Sequence, residues 1–439
     1  MQRGGSPAHI GTLPTGLVPD LCRMATPVRT IWQGFVRGSL GTGVAIVARA
    51  AGALTLNKLV ALYGGLGGLT QLAQFQNLMA LFGALPTDGV QVGTTTRLAP
   101  LRSGSGRHRA WLGAALLLTG LVVTGAGAVL LATGGAAWPV SQAALFTVGM
   151  LFITTQALLS TALLAAGRRG PYVAQAVAIS VLGTAAVAAT LAAGWPLRRV
   201  LLAYVGGQAL TLPLAGWAAR RAGLLPSWRW HRPSTVAGRG LLPFLLMAAG
   251  SLVCGRAVDY GLRAWLIAHY APARTDLWQA VAKLSDNYTL VMGAVLNTVF
   301  YPRLAALTAT PAQARRYLEA VLGLLAGALA GALGLVYALR DVLLPLLFAP
   351  RLLAARELLA PQLLGDWAKF MAWVFLYYLL ARARPLPYLA MQAVGAVLYV
   401  AALLALVPLY GLNGVVWAYA LYYALLLVLC AGLYKWQWK

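Results

Sequence analysis

Acid is scarce in this chain. Of its 439 residues only nine are Asp or Glu, against 34 Lys or Arg, and charged side chains of both signs make up 10% of the whole. Soluble domains carry about 25%. No long polar stretch is left to fold as a separate soluble domain. Cysteine is scarce too. Cys22, Cys254 and Cys430 show neither metal-ligand spacing nor a disulfide framework, and they read as small apolar fillers. His9, His108, His231 and His269 are scattered, so no metal centre or nucleophile–base pair emerges. A Walker-type phosphate loop is missing, which argues against ATP as a direct energy source. No cofactor is expected beyond a proton or other coupling ion.

Apolar sequence dominates instead: 60% of the residues are hydrophobic. A helical membrane span needs about 20 of them in a row. Twelve such stretches lie near 36–62, 72–96, 110–133, 141–166, 172–194, 200–218, 241–269, 277–300, 317–338, 361–381, 386–408 and 414–434. Continuous apolar runs do not alternate as barrel strands do, so the expected fold class is an all-α polytopic membrane protein.

The formal charge of +25 does not point to nucleic acid, because the basic residues are dispersed over short loops rather than gathered on one module. Their distribution follows the positive-inside rule. With the N-terminus inside, inner loops hold Arg97, Arg102, Arg107 and Arg109, Arg168 and Arg169, and Arg220, Arg221, Arg229, Arg232 and Arg239; loops 63–71, 134–140 and 409–413 hold none, while Arg198, Arg199, Arg274, Arg340, Arg351 and Arg356 are exceptions on the outer side. Both termini are therefore expected in the cytoplasm. The expected organisation is a disordered tail (1–35) without a signal-peptide core, with Met24 an alternative start; a first lobe (36–218); a basic cytoplasmic linker (219–240) suited to anionic lipid; a second lobe (241–434); and a short cytoplasmic tail (435–439). A weak internal repeat supports two sets of six spans. LNKLVALYGG runs to Tyr63 and Gln71, and LRAWLIAHYAPARTDLWQ runs to Tyr270 and Gln279.

Ionisable residues inside these spans carry the functional reading. A charge at bilayer depth costs about 2.5–3.5 kcal/mol on insertion scales, so it faces a partner or a wet cavity. Arg49 and Lys58 fall in the first span, roughly 13.5 Å apart along the axis and on opposite sides of an ideal helix. Asp88 lies beside Pro86 and Gly89, where the helix is expected to break; it carries a proton or pairs with Arg49. Arg256, Asp259 and Arg263 share one helical face, Lys283 and Asp286 lie three apart, and so do Asp366 and Lys369. Local ion pairing accounts for some of this. The functional alternative is a water-accessible cavity with a positive surplus, suited to an anion such as pyrophosphate. The segment 339–360 is amphipathic and too charged to span, and reads as an interfacial helix, a lid or a packed loop.

Several stretches resemble the Wzx-type flippases of lipid-linked oligosaccharides within the MATE-like exporter superfamily, including O-antigen translocases and the enterobacterial common antigen branch. They are LNKLVALYGG followed by QFQNL, DLWQAVAKLSDNYTL at 276–290, YPRL ending at Leu304, and QLLGDWAKF at 362–370. The resemblance implies twelve helices in two pseudo-symmetric six-helix lobes, a central cavity and alternating access. It implies a transporter rather than an enzyme, moving an undecaprenyl-pyrophosphate-linked glycan between the leaflets of a bacterial inner membrane for lipopolysaccharide or related polysaccharide synthesis. A polysaccharide polymerase and a chain-length regulator are the implied protein partners. Arg49, Lys58, Arg263, Asp286, Asp366 and Lys369 stand at matching positions; Asp88 and Lys283 do not. The expected pyrophosphate or cavity residues are Arg49, Lys58, Arg256, Arg263, Lys283 and Lys369. Those expected to couple ions or form pairs are Asp88, Asp259, Asp286 and Asp366. Two competing readings are an organic-cation antiporter of the same superfamily, disfavoured by cavity cations, and a membrane glycosyltransferase or ligase using the same lipid.

Overall fold

The computed structural model describes residues 28–98, 101, 105–133, 139–225, 235–296, 300–307, 310–381 and 385–437. In chain order, α1 (Val28–Tyr63) turns through Gly64 and Gly65 into α2 (Gly68–Ala84), which continues through a π-helical segment (Leu85–Gln91) into α3 (Val92–Leu98). Next come α4 (Gly106–Thr133), α5 (Val140–Ala165), α6 (Arg169–Ala192), α7 (Leu197–Ala209) and α8 (Leu212–Arg221). The second half opens with α9 (Thr235–Ser251), which passes through another π-helical segment (Leu252–Arg256) into α10 (Ala257–His269). It continues as α11 (Pro272–Val295), α12 (Tyr301–Ala306), α13 (Pro311–Ala338), α14 (Arg340–Leu347), a 3-10 segment (Pro350–Leu358), α15 (Leu359–Ala381), α16 (Pro385–Tyr410) and α17 (Leu412–Gln437). No strand occurs among the described residues.

Two boundaries differ from expectation. Helix α1 is described from Val28 rather than from near residue 36, and no proline interrupts the run to Tyr63. Helix α9 begins at Thr235, inside the stretch expected to be linker. Residues 1–27 of the expected tail and 226–234 of the expected linker lie outside the described residues, as do Arg102 and the chain end at 438–439.

The chain is a multi-pass membrane protein. Nine helical stretches among the described residues are long and apolar enough to cross a bilayer by length and composition. The expected spans absent from that set are the ones built on α2–α3, α11 and α15. These carry Asp88, then Lys283 and Asp286, then Asp366 and Lys369. Polarity lowers their hydropathy, and neighbouring helices shelter it. In the first half, α6 packs on α1 and α7, and α5 on α4, α7 and α8. In the second, α17 packs on α15 and α16, and α13 on α15.

The halves meet along a seam of α2 and α3 against α9 and α10. Two glycines permit the close approach. A Cβ on Gly89 would lie 3.2 Å from the Leu245 Cα, and one on Gly93 would lie 2.8 Å from the Leu241 side chain. Small residues four apart let helix backbones approach where lipid offers no hydrophobic drive. The helix expected to break at Asp88 instead widens by one residue in its turn. The π-helical segment Leu85–Gln91 absorbs Pro86 while keeping the backbone internally bonded.

Segment 339–360 is neither a free lid nor a loop. It folds as α14 and the 3-10 segment, and it buries Leu344, Phe348, Leu352 and Ala355 in the core shared by both halves. Its residues define the α14 end of the bundle. The opposite, α9 end is where Leu241 meets Gly93.

Candidate functional site

The seam gathers charge in three layers. At the α14 end, charged side chains from each half bond to the backbone of the other. Lys58 Nζ donates to the Pro345 and Leu346 carbonyls, each at 2.8 Å. Arg351 donates to the Ala61 and Gly65 carbonyls at 2.6 and 2.9 Å. Asp276, 1% exposed, accepts the Gly67 N–H at 2.8 Å and the Thr70 N–H at 2.9 Å. Orphan N–H groups of a helix start need such acceptors, and α2 has no side-chain cap of its own.

The middle layer lies on α2, α10 and α11. Gln279 and Lys283 are four apart and share a face of α11. Arg263 donates to the Gln279 amide oxygen at 3.1 Å, its guanidinium 5.6 Å over the Trp278 ring. Lys283 donates across the seam to the Gln76 amide oxygen of α2 and lies 3.8 Å from Asp286, whose side chain is 58% exposed. Arg263 and Lys283 lie within electrostatic reach of each other. Both therefore rest mainly on neutral amides, and neither is held in a tight ion pair.

The third layer is Arg256 with Asp88, 3.1 Å apart across the seam and both partly exposed. Arg256 also borders a cavity of about 260 Å³ in the first half, lined by Met79, Gly83, Thr87, Met150 and Thr154.

Four expectations need correction. Lys58 is not a cavity cation: one turn from the end of α1, its ammonium is spent on carbonyls of the other half. Lys369 is not one either. It is 5% exposed and donates to Asp366 at 2.8 Å and Thr289 at 2.8 Å. Asp366, fully buried, also accepts from Ser285 at 2.6 Å, Tyr419 at 2.7 Å and Tyr288. A carboxylate with this many donors needs no exchangeable proton to be satisfied, so the pair is a dry knot tying α11, α15 and α17. Asp88 pairs with Arg256 rather than Arg49; Arg49 is exposed on α1 and joins none of the three layers. Finally, the positive surplus is small among the described residues: in the two inner layers Arg256, Arg263 and Lys283 are matched by Asp88, Asp259 and Asp286, and only the α14 end, with Lys58 and Arg351 against Asp276, adds an excess positive charge. Asp259 makes no ion pair or hydrogen bond among the described residues.

Sequence reasoning passed over Gln76, Asp276 and Arg351, which complete these layers. A polar residue within a lipid-length run was the available signal for Gln76. Asp276 opens the stretch DLWQAVAKLSDNYTL and Arg351 lies in segment 339–360, but both stand at span ends, where charge is ordinary, so neither carried a role in the sequence reading.

This arrangement, two helical halves meeting on a polar seam, is the fold of MATE-type transporters. An inward-facing MATE-family multidrug resistance transporter of the MOP superfamily aligns at TM-score 0.65 with 12% identity, covering 90% of this chain and 94% of its own. The lipid II flippase MurJ, inward closed, aligns at 0.63 with 10% identity, covering 91% and 87%. No protein-family model matches the chain. In sequence it resembles the lipid III flippases of Escherichia coli (strain K12) and Shigella flexneri, each 26% identical over 419 residues that cover 92% of this chain and 98% of the relative.

Proposed function

We propose that this protein is a flippase for a lipid-linked oligosaccharide, working by alternating access of its two halves. Likeness to lipid III flippases across nearly the whole of both chains carries the reading, and the seam chemistry supports it. Arg263 and Lys283, held by neutral amides, are the residues assigned to a pyrophosphate, since a guanidinium matches phosphate oxygens bidentately. Arg256 exchanges Asp88 for phosphate only at the cost of an ion pair, and we assign it to gating. The glycan occupies the space between the halves while the prenyl tail stays in lipid.

The finer assignments follow the same reading. The membrane is the inner membrane of a bacterium, with the α14 end facing the periplasm and both chain termini in the cytoplasm. The glycan feeds a surface polysaccharide such as O-antigen or a related polymer, in company with a polymerase and a chain-length regulator. A proton or other ion drives transport through Asp259 or Asp286, two membrane-span carboxylates without a tight partner among the described residues.

The test is transport of a labelled undecaprenyl-pyrophosphate-linked glycan in proteoliposomes. Wild type moves it between leaflets, and Arg263→Ala stops it while eluting as a folded protein. Normal flipping by that variant removes the pyrophosphate assignment. Dye efflux without glycan flipping transfers the protein to the organic-cation reading.

A further inference from the structure

One cavity touches that assignment only at Asp259. About 390 Å³ of space lies within the second half, bounded by α10, α15, α16 and α17. Tyr399, Tyr419, Tyr422, Tyr423 and Trp373 wall it, and Asp259 is the charged residue among its lining. The rings are already packed on one another. Tyr399 and Tyr422 have centroids 5.1 Å apart, Tyr422 and Tyr423 4.3 Å, and Tyr419 and Tyr423 4.8 Å. The dry knot anchors this wall: the Tyr419 hydroxyl donates to Asp366, and the Lys369 ammonium lies 5.7 Å from the Tyr419 ring. Gly395 leaves room for Tyr422, whose ring and hydroxyl would lie 3.2 Å from any Cβ there. Such preorganisation favours a ligand over simple core packing, because the ordering cost is met before binding.

The charge around the cavity selects the ligand class. An aromatic cage with a carboxylate suits an organic cation when it stands alone. Here Arg256 and Arg263 lie on the same helical face as Asp259, within electrostatic reach of it. A cation meets those guanidinium groups, and an anion meets the carboxylate. A neutral, polyhydroxylated ring meets neither penalty. Its C–H face lies on the aromatic rings, and its hydroxyls donate to Asp259 and exchange hydrogen bonds with tyrosine hydroxyls.

We infer that this cavity is a sugar-binding subsite, taking the residue of the glycan next to the pyrophosphate that Arg263 holds on the neighbouring turn of α10. The inference rests on the flippase reading and adds a place where the glycan itself is read.

The experiment compares binding of two lipids to the full chain in nanodiscs: bare undecaprenyl pyrophosphate and the same lipid carrying a glycan. Tyr422→Leu is expected to weaken the glycosylated lipid about tenfold and to leave the bare lipid unchanged, with Tyr422→Phe, which keeps the ring and loses the hydroxyl, weakened less. Asp259→Asn, nearly isosteric, guards against misfolding and is expected to weaken the glycosylated lipid as well. Equal affinity of wild type, Tyr422→Leu and Asp259→Asn for the glycosylated lipid overturns the subsite while leaving the flippase reading intact. Failure of wild type to bind either lipid overturns the flippase reading, and the subsite with it. Choline binding that Tyr422→Leu abolishes, with both lipids unaffected, assigns the cage to organic cations and also overturns the proposal.

Discussion

Asp276 and Thr70, on opposite halves of the molecule, are joined twice: Oδ1 of Asp276 accepts the Thr70 N–H at 2.9 Å and the Thr70 hydroxyl at 2.8 Å. With the Gly67 N–H on Oδ2, the carboxylate supplies from the second half the cap that α2 lacks. The first turn of α2 is thus satisfied only while the α14 end is shut. When the halves part, those N–H groups and the carboxylate must find water instead.

Asp276→Ala is therefore expected to favour opening at the α14 end. A lost cap costs about 1 kcal/mol, and each buried donor left unpaired costs about 1–3 kcal/mol. The penalty falls on the shut state alone, and every 1.4 kcal/mol shifts the balance tenfold. Spin labels at Trp195 and Val342, both exposed at this end, would report a longer distance population in a cysteine-free background. An unchanged distribution would show that the latch does not set the balance.

The Arg256–Asp88 pair differs in kind. Both side chains are more than a third exposed, so solvent screens the pair and its contribution to stability is about 1 kcal/mol or less. Asp88→Ala and Arg256→Ala are each expected to leave thermal unfolding nearly unchanged and to slow lipid flipping. The exchange Asp88→Arg with Arg256→Asp is expected to recover part of the rate, because the seam contact reforms with reversed sign. If the exchanged protein is no faster than the slower single variant, the pair has no gating role.

The sequence made the helical membrane fold legible, because long apolar runs admit no other spanning element. It also marked the ions at risk, since Arg256, Arg263 and Lys283 do meet on one seam. Their partners stayed hidden. Lys58, Arg263 and Lys283 bind carbonyl or amide oxygens, which carry no charge signature, and Lys58 reaches residues 287 and 288 positions away in the chain. Spacing alone joined Asp366 to Lys369 correctly. It gave no sign that Ser285, Tyr288 and Tyr419 would seal the pair away from water. The π-helical turn at Leu85–Gln91 was likewise unreadable, since Pro86 and Gly89 signal a break as strongly as a bulge.

The Asp366–Lys369 knot is expected to dominate the stability of the second half. Removing one partner leaves an uncompensated buried charge, so Asp366→Ala or Lys369→Ala is expected to cost about 3–5 kcal/mol. The double change Asp366→Asn with Lys369→Met removes both charges and keeps volume, and it is expected to cost less than either single. Thermal unfolding in detergent measures all three. Additive losses would mean the two residues act separately.

Two glycines of the α1–α2 turn separate local strain from contact between the halves. Gly65 and Gly67 have φ of +77° and +79°, where an alanine is strained by about 1–2 kcal/mol. Around Gly65 a Cβ would meet open space, whereas on Gly67 it would lie 2.8 Å from the Pro272 Cβ at the start of α11. The proline ring cannot rotate aside, so relief requires the halves to move apart. Gly65→Ala is expected to lower thermal stability in every conformation and to leave the Trp195–Val342 label distances as in wild type. Gly67→Ala carries the same strain and also opposes closure, so its distances are expected to lengthen towards those of Asp276→Ala. Matching distance distributions for the two alanine variants would show that the turn does not transmit its contact with Pro272 to the seam.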